Sequence, residues 1–200
     1  IQNDTPSEYH GKLVYVTPGM GKTTFASNKQ GVLDVDNIIT DILDEMNIGY
    51  DETSFGWVAK NNESRVWPEL KKRIQQAKNE GYTILTGNYY FLDENLGKDL
   101  VDYAFIENDP KVLEQNSQKR AEKTQRKKFN KQSIDSRIKA EKVFDGFKNK
   151  VEMKGEVLSE QPQINAQESK NSSADKAFKN VKRDGDRRTI TLKQLAVNIK

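Results

Sequence analysis

Cysteine is absent from this 200-residue chain, and histidine occurs once, at His10. The first absence excludes disulfides and cysteine-ligated zinc, and it fits a reducing compartment. The second excludes a histidine-rich metal site and a His-based catalytic triad. Apolar residues are scarce at 34%, charged residues reach 32%, and mean hydropathy is −0.89. Part of the chain therefore has too little apolar surface to join a core. No apolar run approaches the roughly 20 residues that cross a bilayer, and no signal-peptide pattern is visible, so no membrane partner is expected. The length suits one domain with an appendage.

What is present is unevenly distributed. Residues 1–110 carry 10 basic and 18 acidic side chains, whereas residues 111–150 carry 13 basic and 5 acidic ones. The net charge of +3 conceals this contrast. A basic block behind an acidic half reads as a phosphate-facing lid, a nucleic-acid patch or a solvated helical face.

Residues 1–10 read as a flexible leader. Strand signals follow at 12–16, 31–36, 82–86 and 102–106, and helical spacing at 22–28, 38–46, 63–79, 110–126 and 132–147. Asn37 is placed to cap the second helix, and Pro68 is expected in the first turn of the third. Residues 48–61 read as irregular. The alternation predicts an α/β domain over 11–147, with a mainly parallel sheet flanked by helices and a basic helical lid-like region at 111–147. Ligands of such sheets sit beyond the carboxyl ends of the strands. Four segments fall there: Thr17–Thr23, Asp34–Asp36, Thr86–Asn88 and Glu107–Asp109. Residues 148–200 read as a polar tail, disordered or ordered by a protein partner. Its apolar segment 189–199 suits a fifth strand, a short helix or a docking segment.

The most specific stretch is Val16-Thr17-Pro18-Gly19-Met20-Gly21-Lys22-Thr23-Thr24. It stands between a β-branched strand and a helix start, where a turn rich in backbone N–H groups cradles phosphate. It resembles the Walker A loop of P-loop kinases and NTPases, matching at Gly19, Gly21, Lys22 and Thr23. It departs at Val16, where the pattern has glycine, and a valine there is expected to stiffen the turn. The resemblance implies that Thr17 to Thr24 bind ATP, that Lys22 reaches the β- and γ-phosphates, and that Thr23 holds Mg²⁺.

Strand alternation places Asp34 and Asp36 on one face, where they could hold Mg²⁺ waters or accept a proton from an attacking hydroxyl. The order of features resembles nucleoside and nucleotide kinases, including phage-type deoxynucleotide and polynucleotide kinases. That resemblance implies Asp34 or Asp36 as the acceptor-side acid, Asp36 beside Thr23 at the metal, and Arg120 and Arg126 as lid arginines screening the transferred phosphoryl. It covers about residues 11–147. The third strand ends Thr86-Gly87-Asn88 and lacks the aspartate of a Walker B strand. Trp57, Tyr89, Tyr90 and Phe91 are available to stack on a base or to pack.

Three functions stay open: a kinase acting on a nucleotide or polynucleotide end, a nucleic-acid-associated NTPase, and a degenerate P-loop domain serving as an interaction module. The compartment implied is cytoplasmic, or the interior of a phage particle.

Residues 151–188 hold too few large apolar side chains to offset backbone ordering, which costs about 1–2 kcal/mol per residue. In limited proteolysis of the isolated protein, this stretch should be cut first while 11–147 resists. Protection across 160–186 in a monomer would overturn that expectation.

Overall fold

The computed structural model describes residues 1–52, 54–107, 109–124 and 138–153. Its organising element is β1 (Leu13–Val16), all four of whose residues are buried. β3 (Thr83–Thr86) pairs along one edge of β1 in parallel, with Leu13 opposite Ile84, and β4 (Tyr103–Glu107) along the other, with Val14 opposite Tyr103. β2 (Val32–Asp34) lies outside β3, and β5 (Lys150–Met153) lies outside β4. The sheet is thus parallel throughout, in the order β2-β3-β1-β4-β5. Parallel neighbours need crossover connections that cover the faces, which is why β1 and β3 are buried at every position.

The connections are α1 (Lys22–Asn28), α2 (Val35–Glu45), α3 (Phe55–Asn61), α4 (Glu63–Asn79) and α5 (Pro110–Thr124). On one sheet face, Val14, Val16, Val32, Leu85 and Met153 form an apolar cluster with Met20 and Leu113, against which Phe25, Ala26 and Val112 pack. This face is covered by α1 and α5. Alternation sends Tyr15 to the other face, where its ring lies 5.1 Å from that of Phe144. Phe144 follows a helical stretch at 138–143. The described residues divide into two compact units, one of residues 1–36 with the described residues from 74 on, the other of residues 37–73.

Several expectations change. Residues 1–10, read as a leader, make contacts with the domain. Asn3 donates to the Gly81 carbonyl and to Thr83 Oγ1, both at 3.0 Å, and the Tyr9 ring packs edge-on against Tyr103 and Phe105. Residues 55–61, expected to be irregular, form α3. Pro68 sits in the second turn of α4, where it deprives the Ser64 carbonyl of a helical partner. β5 lies beyond residue 147, where the domain was expected to end, because Val151 and Met153 complete the sheet edge beside β4. Arg126 and residues 154–200, including the apolar segment 189–199, lie outside the described residues.

Asp41, on α2, is 4% exposed, and its Oδ1 is buried without a hydrogen-bond partner. Burial pushes its carboxyl up to about 7, with Asp44 and Glu45 adding to the shift and Arg73 opposing it. Arg73 is itself engaged by Glu45 at 2.5 Å and by Glu69 at 2.9 Å. A carboxyl raised in the folded state costs stability as it ionises, so the penalty is absent at acid pH, grows from about pH 4 and is complete above about pH 7. Asp41→Asn should therefore stabilise the protein at pH 8 by roughly 2–4 kcal/mol and remove this slope between pH 4 and 7. Denaturant melts of both proteins across that range check it, and parallel curves would show that Asp41 is not the group responsible.

Candidate functional site

Because every strand runs the same way, the segments after β1, β2, β3 and β4 gather at one edge of the sheet. The turn after β1 reverses the chain through two glycines in the left-handed region, Gly19 (φ 92°) and Gly21 (φ 80°), and α1 begins at Lys22. Side chains strain at such φ values, so these two positions explain the glycines of the motif. Val16 is different. It ends β1 in register with Phe105, has no positive φ, and is fully buried in the apolar cluster. The expected stiffening of the turn by Val16 therefore does not arise, since the backbone there is ordinary strand.

Two loop side chains turn inward. Thr17 is 1% exposed, and its Oγ1 accepts the Glu107 N–H at 3.0 Å, while its own N–H donates to the Phe105 carbonyl at 3.0 Å. Met20 is 1% exposed among Val16 and Leu113, and Asn116 of α5 approaches its Sδ at 3.7 Å. Thr17 and Met20 thus fasten the turn to β4 and α5, and only their backbone is left to meet a ligand. Thr24 is exposed, and Pro18 and Gly19 are half-buried. Close beneath lies Gly87: a Cβ there would stand 3.0 Å from the Val16 carbonyl oxygen and 3.5 Å from both Lys22 Cε and Pro18 Cγ. A Cβ at 87 would press on the Val16 carbonyl and meet Lys22 and Pro18 in ordinary contact.

Lys22 Nζ donates to Asp34 Oδ1 at 2.7 Å and to Asp36 Oδ2 in a still shorter contact. Thr23 Oγ1 donates to Asp34 Oδ2 at 2.7 Å, and the Asp36 N–H donates to Asp34 Oδ1 at 3.0 Å. Side-chain exposure falls from 31% at Asp36 through 13% at Lys22 to nil at Asp34. Burial pushes the Lys22 ammonium down while the Asp34 and Asp36 carboxylates push it up. The carboxylates prevail, and it stays charged. Two carboxylates against one ammonium leave a formal charge of −1.

Asp34 and Asp36 do meet, by a route other than the expected one. Asp34 ends β2 on the face that α1 covers, in register with Leu85. Asp36 lies in the first turn of α2, so strand alternation does not align the two. Asp34, rather than Asn37, receives the N–H that opens this helix. Glu107 is fully buried, and its Oε1 accepts the Asp109 N–H at 2.6 Å. Asp109 in turn caps α5 by accepting the Lys111 N–H at 2.9 Å, ahead of Pro110 in the first helical position. Arg120 belongs to α5. The end of β3 carries no acid; the carboxylate that Thr23 touches is Asp34 of β2, a contact that follows from register and could not be read from spacing.

Among the described residues, no group of three or more His, Cys, Asp or Glu side chains is arranged to hold a metal. Thr23 and Asp34, with Asp36 beside them, form a hard-oxygen set of the kind that Mg²⁺ accepts when water and phosphate complete its shell. Among the described residues, no helix is long and apolar enough to cross a membrane. No family model matches the chain, and no curated protein matches it in sequence.

Val16→Gly, the change that would restore the Walker pattern, should not improve the loop. It empties a fully buried site and loosens a central strand, at a cost of about 3 kcal/mol in a denaturant melt. A variant as stable as the parent would show that Val16 is not a core residue.

Proposed function

We propose that the chain is an ATP-binding P-loop protein that transfers the γ-phosphate to a nucleotide or polynucleotide end. One observation carries the reading. The turn at Gly19–Thr23 leaves the central strand and brings the Lys22 ammonium and the Thr23 hydroxyl onto two carboxylates at the carboxyl edge of a parallel sheet. β1 also stands where the sheet order reverses, since its connection runs towards β2 while those of β3 and β4 run the other way. That is where open α/β sheets take their ligands.

The residues fit the group. Lys22 offers a point charge for phosphate oxygens, and the left-handed turn at Gly19 and Gly21 leaves the backbone clear of side chains. Thr23 with Asp34 suits Mg²⁺, so the metal role passes from Asp36 to Asp34, the deeper carboxylate and the one that Thr23 touches. Asp36, partly exposed on the first turn of α2, is the group able to take a proton from an acceptor hydroxyl. ATP with Mg²⁺ supplies the phosphoryl group. Lys22 orients it and offsets the charge that develops on its oxygens. A formal charge of −1 would repel a bare polyphosphate, which is the physical reason for a divalent cation here. Arg120, on α5, and Arg126, outside the described residues, stay candidates for contact with the phosphates or a nucleic-acid acceptor.

One feature favours the alternative of an interaction module: Lys22 is already neutralised by internal partners. Turnover decides between them. In titrations with Mg²⁺, Lys22→Ala should weaken ATP binding on the order of 100-fold and leave adenosine binding unchanged. Asp36→Asn should lower phosphoryl transfer to nucleotides or 5′-hydroxyl oligonucleotides by at least about 100-fold. Equal losses for ATP and adenosine would remove Lys22 from a phosphate site. A parent protein that binds ATP yet phosphorylates no such acceptor would favour the module.

A further inference from the structure

We propose that Asp36 occupies Lys22 as an internal substitute for phosphate, so that the triphosphate must bind before an acceptor can use the Asp36 carboxylate. The inference rests on the nucleotide reading above and adds an order of binding to it. Lys22 Nζ is shared between two carboxylates that are not equivalent. Asp34 is fully buried and fixed by three donors: Lys22, the Thr23 hydroxyl and the Asp36 N–H. It is a permanent part of the frame. Asp36 is partly exposed on the first turn of α2, and its side chain is held through Lys22.

In this scheme a lysine reaching towards phosphate keeps Asp34, the buried partner, and gives up Asp36, the exposed one. While Lys22 donates to Asp36, the Oδ2 oxygen of that carboxylate is engaged. Once the ammonium has moved to a phosphate oxygen, that oxygen is free to accept a proton. Triphosphate binding therefore exposes the acceptor-side carboxylate, and an acceptor arriving first meets a closed ion pair. The same pair makes nucleotide binding weaker than Lys22 alone would give, since a charged hydrogen bond must first be broken.

Two measurements on the full chain test this. The first is the affinity for the Mg²⁺ complex of a non-hydrolysable ATP analogue with a β,γ-imido bridge, in the parent and in Asp36→Asn. The variant should bind about tenfold tighter, the equivalent of one charge-assisted hydrogen bond that no longer has to break. The second is zero-length cross-linking by a water-soluble carbodiimide. It joins an amine to a neighbouring carboxyl as an amide, and the carbodiimide takes up the water and leaves as a urea. The free parent should give a Lys22–Asp36 linked peptide by mass spectrometry, and saturating analogue should abolish it. An unchanged or weaker affinity in Asp36→Asn, or a cross-link that persists with analogue bound, would overturn the ordering and leave nucleotide binding standing. No Lys22–Asp36 cross-link in the free protein would also overturn it. Failure of both proteins to bind the analogue would remove the ordering together with the nucleotide reading.

Discussion

β1 has a parallel neighbour on each edge and packing on each face, and this double constraint governs the rest of the described structure. A strand so placed can hold only buried residues, which Leu13-Val14-Tyr15-Val16 supplies. Its exit is equally constrained. The chain must leave at the carboxyl edge, turn over the sheet and enter α1 within five residues, which requires the left-handed glycines at 19 and 21. The loop is then fastened from below by Thr17 on β4 and from the side by Met20 against α5. The lysine that follows is directed onto Asp34 and Asp36.

The electrostatics of the site follow from that placement. An ammonium brought to a nearly dry position needs compensation, and leaving either partner of a buried pair alone costs about 3–5 kcal/mol. Asp34 provides the compensation from β2, the strand beyond β3, and so ties the loop to an outer strand that β1 does not touch. Asp36 adds a second carboxylate and tips the balance negative. The outcome is a cluster of one ammonium and two carboxylates with a formal charge of −1. The same logic sets this pair apart from Asp41, which is buried with Oδ1 unpartnered while the nearby Arg73 is held by Glu45 and Glu69. There burial holds the proton on Asp41 up to about pH 7.

Much of the frame was legible in the sequence because it depends on neighbours along the chain. The bounds of α4 follow from its spacing, and all four early strands are found within a residue or two of their expected positions, except that β2 stops at Asp34. That exception has a cause: Asp34 turns its carboxylate onto the Asp36 N–H and starts α2 early. α3 was missed because Phe55-Gly56-Trp57 carries no clear helical stripe, and Trp57 is 68% exposed. The leader looked flexible because its bonds run to residues about 80 positions away, at Gly81 and Thr83. β5 was missed because Lys150-Val151-Glu152-Met153 is half polar, as an edge strand can be.

The sequence by itself determined the class of fold, the loop and its attendant lysine and threonine, because periodicity, glycine and residue chemistry act over a few neighbouring positions. It also placed four polar segments at one edge, since a parallel sheet admits no other arrangement of its strand ends. Only the tertiary structure decided which acid faces Thr23, that Val16 belongs to the core, that Met20 is an anchor and that Gly87 lies against the Val16 carbonyl. Each of these depends on strand register and on the crossing of segments tens of residues apart, and a shift of one residue would send every side chain of a strand to the opposite face.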